Sequence, residues 1–459
     1  MTTAPLYLLL VSAVAIYLST GASAIGVNYG TIANNLPRPS QVAQFITTQT
    51  IIDSVKIFDV IPDIIHAFAN TNVTVTITVG NGDIPALADA RAAAQWVAAN
   101  VQPYYQETKI NRISVGNEIL ATGNRLWISK LVPCMWALHN ALVQAGIRNI
   151  QRCNYMDETQ VSTPHTLGII SNSVQPSQAR IRKGYDKVIF EPMLKFLRQT
   201  KSPLMVNPYP YFSYAPSYAP SIADYALFRP NRGVHDSHTN ITYYNMFDAM
   251  MDAVYSAIKA MGYADVDIVV AETGWPSAGD PNQPACTVDN AISFNGNLLK
   301  AVTSGKGTPL MPNRKFETYI FSLFNENLKP GQSNERNWGL FRPDFSAVYD
   351  VGILKNKQSR PAPRPAPVAG KKSWCVPKAS ASDQALQANI NYVCSQKGMD
   401  CRPIQAGGPC FGPNNVRSHA SFVMNSFYRL NGARPFNCDF AGTGVVANSD
   451  PSHGSCKYM

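Results

Sequence analysis

The chain lacks a second long apolar run. Leu6–Leu18 (LYLLLVSAVAIYL) is followed by small residues at Ala22-Ser23-Ala24, and no later stretch is long and apolar enough to span a bilayer. Even the first falls short of the ~20 residues a spanning helix needs. Residues 1–24 therefore read as a signal peptide cleaved before Ile25, although no Lys or Arg marks their start. The last residues, Cys456-Lys457-Tyr458-Met459, provide no hydrophobic tail for a lipid anchor. The expected product is soluble and secreted, in the extracellular space or the cell wall, with no stable membrane anchor.

Other absences narrow the chemistry. No Cys-x-x-Cys pair exists, and His419 and His453 stand far apart, so the cysteines do not form a zinc site. The segment after the first candidate strand, GVNYGTIANN, is a poor dinucleotide fingerprint, which weakens a doubly wound nucleotide-binding fold. Charged residues make up only 15% of the chain. The net charge of +10 invites a nucleic-acid partner, but six cations (Lys355, Lys357, Arg360, Arg364, Lys371, Lys372) sit in one short stretch without acids. That pattern is a solvated linker and not a groove-shaped patch, so no nucleic acid is expected.

What remains is a two-domain chain. About 435 residues follow the leader, more than one compact domain usually holds. Gln358–Lys372 reads QSRPAPRPAPVAGKK, an extended polyproline II spacer able to reach roughly 45 Å. The reading is a large domain at 25–352, a Pro/Ala/Lys-rich linker at 353–372 and a module at 373–459. Six of the nine cysteines (Cys375, Cys394, Cys401, Cys410, Cys438, Cys456) fall in that module. In a secreted chain an even number in a small module is a disulfide framework. Cys134, Cys153 and Cys286 lie outside it and leave at least one thiol without an intramolecular partner. Asn72 and Asn240 are N-glycosylation candidates.

The larger region alternates strand-like segments with longer ones, several of helical period. The strand candidates are Ile25–Tyr29, Ser54–Phe58, Val73–Val79, Ile113–Glu118, Val161–His165, Leu204–Tyr209, Ile268–Glu272 and Tyr319–Phe324. Ala86–Ala99, Ile128–Ala145 and Tyr243–Met261 have helical spacing. This is an α/β pattern that suits a (β/α)8 TIM barrel.

Two glutamates stand out by position. Ser114-Val115-Gly116-Asn117-Glu118 and Ile268-Val269-Val270-Ala271-Glu272 each end an apolar strand in a carboxylate. A barrel gathers its catalytic groups at the carboxyl ends of its strands, and the fourth and seventh lie across the mouth from one another. Two facing carboxylates are what glycoside hydrolysis requires, one protonated to serve the leaving oxygen and one ionised. No metal or organic cofactor is needed. The loop Asn207-Pro208-Tyr209-Pro210-Tyr211-Phe212-Ser213-Tyr214 offers ring faces that stack on pyranoses. Glu317 and Glu326 bracket the last strand, and Lys329 can pair with either. They serve as loop ties or sugar contacts.

IGVNYG at 25–30, VGNE at 115–118, VNPYPYF at 206–212, AETGWPS at 271–277, ETYIFSLFNEN at 317–327 and NWGLF at 337–341 together resemble plant glycoside hydrolase family 17. The resemblance covers almost all of 25–352. It implies a retaining endo-1,3-β-glucanase in which Glu118 resembles the general acid/base and Glu272 the nucleophile. Tyr29, Asn117, Tyr209, Phe324, Glu317, Glu326 and Lys329 match positions in or near the glucan cleft. In the tail, WCV at 374–376, NINYVC at 389–394, GGPC at 407–410, HASF at 419–422, CDF at 438–440 and DPS at 450–452 look like the X8 module, carbohydrate-binding family 43. That resemblance implies a small, mainly helical, disulfide-rich unit with pairs Cys375–Cys438, Cys394–Cys401 and Cys410–Cys456. Its ligand would be β-1,3-glucan, met by aromatics such as Tyr392, Phe427 or Tyr428. The implied partner is the polysaccharide, and the implied state a monomer. One departure is an insert of roughly nine residues, Arg152–Gln160, before the fifth strand, expected on the barrel's bottom face.

Overall fold

The computed structural model describes residues 25–149, 157–215, 220–355, 373–395, 399–430, 438, 440 and 442–458. The leader, the Pro-Ala linker and Cys153 lie outside the described residues. No described helix is long and apolar enough to cross a membrane. The chain divides into two compact units on either side of the linker.

The first unit is a parallel barrel. Its strands are β1 (Ile25–Tyr29), β2 (Ser54–Ile57), β3 (Thr74–Val79), β4 (Lys109–Val115), β5 (Gln160–Ser162 and Pro164–Thr166), β6 (Leu204–Asn207), β7 (Ile268–Thr273) and β8 (Thr318–Ile320). β5 is broken at Thr163. Its first half pairs with β4 and its second half with β6, so the two halves close the ring. Short apolar strands with polar residues at every second position explain the form. On β2, Val55 and Ile57 join the apolar layer beneath the helices, while Ser54 and Lys56 point inward. On β3, Thr74 and Thr76 point inward to Ser54 and Tyr319, and Val75, Ile77 and Val79 pack outward.

Helices cover the outside, among them Ala90–Asn100, Arg125–Gln144, Met246–Ala260 and Val288–Thr303. Their starts are capped: Asp89, Asn124, Asn245 and Thr287 each accept backbone N–H groups of the first turn. The segment before β5 begins and ends as a hairpin, Arg148–Asn149 antiparallel to Asp157–Glu158. It enters β5 at the strand's amino end, away from the mouth.

The second unit is small. A two-stranded antiparallel ribbon, Trp374–Pro377 with Gly444–Ala447, packs with helices Asp383–Cys394 and Val416–Leu430. Disulfides join Cys375 to Cys438, Cys394 to Cys401 and Cys410 to Cys456. Its two apolar clusters each include half-cystines, so the bridges are part of the core as well as its staples.

Candidate active site

Glu118 leaves β4 through two left-handed residues. Gly116 has φ +67°, and a side chain there would run into Ile119 and Asn81. Glu118 itself has φ 54°, a conformation costing a non-glycine residue about 1–3 kcal/mol. The backbone holds it there: the Glu118 N–H donates to the Pro164 carbonyl at 3.0 Å, and Gly116 N–H donates to Val79. Asn207, at the end of β6, donates its side-chain amide to Glu118 Oε1 at 2.7 Å.

Glu272 is aimed by an irregular strand. Ala271 already faces the barrel interior with Met205, Val269 and Tyr319, so strict alternation would turn Glu272 outward. The pairing of β7 with β8 shifts register between Val270 and Thr273, and that bulge turns a second consecutive side chain inward. There Lys56 Nζ meets Glu272 Oε1 at 3.1 Å and the Tyr209 hydroxyl donates to Oε2 at 3.1 Å. Lys56 is fully buried and also lies over the Phe58 ring.

The electrostatics separate the two acids. Burial pushes the Glu118 carboxyl's pKa up, and the Glu272 carboxylate across the mouth raises it further. Asn207, Lys56 and Lys329 oppose this without reversing it. Glu272 instead has a buried ammonium and a phenol directly on its oxygens. Burial lowers the Lys56 pKa, with Glu272 and Glu118 pulling the other way. A carboxyl pushed toward holding its proton thus lies within electrostatic reach of one gripped by an ammonium and a phenol, an asymmetry that suits general-acid cleavage.

The other expected contacts sort by strand face. Asn117 is tied at its backbone by Asn81, and its buried side-chain Oδ1 has no protein hydrogen bond. Asn28 and Asn207 carry the same kind of acceptor. Glu326 accepts the Ile32 N–H at 2.7 Å and ties the loop after β1. Lys329 pairs with Glu335 at 3.4 Å and covers the Phe321 ring, and its charge reaches Glu326 and Glu118.

Four expected contacts need correcting. Tyr29 and Phe324 are 2% and 1% exposed and pack edge-on at 6.1 Å. Tyr29 shares the outward side of β1 with Ile25 and Val27, so it serves the helix-facing core and presents no ring face to a sugar. Glu317 precedes β8 and lies at its amino end, where Arg112 grips it with two bonds of 3.0 Å. In the module Tyr428 is 1% exposed with its hydroxyl on Ser373, whereas Tyr392 is 39% exposed beside Phe427. Sequence reasoning also missed Lys56, Asn28 and Asn207. A lysine inside SVKIF was the visible signal, since a buried ammonium needs an acid.

A closed parallel barrel with two such glutamates at the ends of β4 and β7 defines a glycoside hydrolase. The profile described as Glycosyl hydrolases family 17 matches residues 25–353, and the chain belongs to that family. An X8 domain matches 373–445. Among curated relatives, a Triticum aestivum "Glucan endo-1,3-beta-glucosidase" is 48% identical over 95% of this chain and 94% of its own. An Olea europaea "Glucan endo-1,3-beta-D-glucosidase" is 44% identical over 96% and 94%. Of solved structures, "CJP38, a beta-1,3-glucanase and allergen of Cryptomeria japonica pollen" superposes with a TM-score of 0.67 at 40% identity, covering 72% of this chain and all of the other.

The link between Asn207 and Glu118 can be tested by pH. Its amide stabilises the carboxylate, so Asn207→Ala raises the Glu118 pKa and shifts the alkaline limb of the activity profile upward. kcat/KM should fall about tenfold with the lost charge-assisted bond. A limb that moves down or stays would break the assignment of that limb to Glu118.

Proposed function

We propose that the chain is a secreted endo-1,3-β-glucanase that hydrolyses internal bonds of β-1,3-glucan with retention of configuration. The observation that carries the reading is the unequal pair: Glu118 raised by burial and by Glu272, and Glu272 held by Lys56 and Tyr209. Glu272 attacks the anomeric carbon while Glu118 protonates the leaving oxygen. Glu118 then takes a proton from water as the glycosyl ester opens. Asn117, Asn28 and Asn207 offer acceptors to sugar hydroxyls, and Glu326 and Lys329 shape the loops around them. The wheat and olive relatives carry names that describe the same activity. A digest of linear β-1,3-glucan followed by sizing of the products tests it: a spread of oligosaccharides supports internal cleavage, and glucose alone would reject it.

The module is proposed to hold the enzyme on polymer, with Tyr392 and Phe427 as its glucan contacts, and the enzyme to act as a monomer. Asn72 and Asn240 are both exposed and so open to glycosylation. A chain ending before residue 373 should cut short soluble oligosaccharides at nearly the full rate. On insoluble glucan it should lose ~10-fold or more, because tethering raises local concentration. Equal loss on both substrates would place the module in the catalytic step.

A further inference from the structure

The amino end of the barrel, opposite the glutamate pair, holds an acid that lacks a counter-ion. Asp53 stands immediately before β2, and its N–H donates to the Ile25 carbonyl at 3.1 Å. The Ile25 N–H in turn donates to the Asp53 carboxylate. Asp53 Oδ1 is nevertheless buried with no hydrogen-bond partner among the described residues. Burial, and then the negative charge of Glu317, push the Asp53 pKa up to about 6. A carboxylate so placed calls for a cation.

The cations around it have other partners. Arg112 reaches in from β4 and holds Glu317 and Gln160. Lys355 lines the same groove as Asp53, but its ammonium lies on the Thr47 carbonyl at 2.7 Å. Lys109 donates to Asn72 Oδ1 at 3.0 Å, also in that groove. Glu317 is satisfied by Arg112 and the Tyr319 hydroxyl, which leaves Asp53 as the acid still open. The group already bonded to Asp53 is the Ile25 nitrogen, and it is an amide only while residue 24 precedes it. Its position is fixed, because Ile25 is buried and β1 is held in register between β2 and β8.

We infer that Asp53 is the seat of the mature chain's own α-ammonium, so that removing the leader turns the Ile25 amide into the missing cation. The inference rests on the reading of residues 1–24 as a leader cleaved before Ile25. Hydrolysis of the Ala24–Ile25 bond puts the hydroxyl of water on the Ala24 carbonyl and its hydrogen on the Ile25 nitrogen, which takes a further proton from solvent. Three N–H donors then replace one, and Oδ1 gains a donor. The positive charge offsets the repulsion between Asp53 and Glu317. A charge-assisted bond at the first residue of β1 pins the strand that joins β2 to β8 in the ring. Processing thereby stabilises the barrel as well as releasing it.

The test compares two forms of the secreted chain, one starting at Ile25 and one keeping Ser23-Ala24 ahead of it, each with and without Asp53→Asn. Two extra residues carry the amine about 7 Å along the chain. Intact mass reads where the naturally processed chain begins, and a start at Ile25 is expected. That form should unfold roughly 5 °C above the extended one. Asp53→Asn should erase the difference, lowering the midpoint of the Ile25 form by about as much and leaving the extended form unchanged or more stable. Glu118 and Glu272 stand at the opposite end of the barrel, so the assignment of glucanase activity stands or falls separately. A natural start at another residue overturns the processing reading and the ion pair with it. A start at Ile25 with equal midpoints, or a difference that survives Asp53→Asn, overturns the ion pair alone.

Discussion

Glu272→Ala lowers kcat on β-1,3-glucan by at least about 10⁴-fold, equivalent to ~5.5 kcal/mol, and leaves polymer binding intact. The loss is large because no other group in the mouth can take the role. Lys56 is a cation, the Tyr209 phenol is held neutral by burial and by the nearby carboxylates, and Glu118 serves the leaving oxygen. Binding survives because the sugar hydroxyls keep their partners. The two glutamates are told apart with azide and an activated β-glucoside. The alanine at 272 leaves room for azide on the nucleophile's face and yields an α-glycosyl azide. Glu118→Ala still forms the glycosyl-enzyme and yields a β-azide. The opposite pairing of products would reverse the roles.

That the glutamates were legible in sequence, and much of their surroundings was not, has a physical cause. Both sit at the end of an apolar run, and runs of the Ile268–Glu272 kind mark a barrel strand. Their aim depends on features no periodicity carries: the register shift in β7 and the left-handed backbone at Gly116 and Glu118. Tyr29 shows the reverse failure. Its motif placed it at the mouth, but the alternation along β1 gives the mouth to Asn28, the register partner of Lys56. Glu317 could have been excluded by strand polarity, since it precedes β8 and strands present chemistry at their carboxyl ends. The hydrogen bond of Lys56 across the barrel, to a residue 216 positions away, needed the fold itself.

Glu317 has another task, and removing its partner should be costly. Arg112 is 3% exposed, and its guanidinium also holds Gln160 Oε1 at 2.8 and 3.2 Å. The Tyr319 hydroxyl donates to Glu317 Oε1 at 2.6 Å. Burial pushes the Glu317 pKa up, but Arg112 outweighs it and holds the value below the ordinary one. Asp53 stands nearby, raised to about 6 by burial and by Glu317. Arg112→Leu leaves the mostly buried Glu317 without its cation and within electrostatic reach of Asp53, at a cost of about 3–5 kcal/mol. The midpoint of thermal unfolding should fall by roughly 10 °C. The sign with pH identifies the cause. In the native protein the depressed Glu317 pKa gives stability that is present above the unfolded value of about 4.3 and lost as pH falls through the folded value. In the variant the Glu317 pKa is raised, so the folded state binds the extra proton and stability falls as pH rises. The deficit should therefore be largest near neutrality and shrink in acid, and Arg112→Leu combined with Glu317→Gln should recover most of it. Thermal unfolding across pH measures both. A deficit of the same size at every pH would mean that lost packing, and not the stranded carboxylate, is what the arginine prevents.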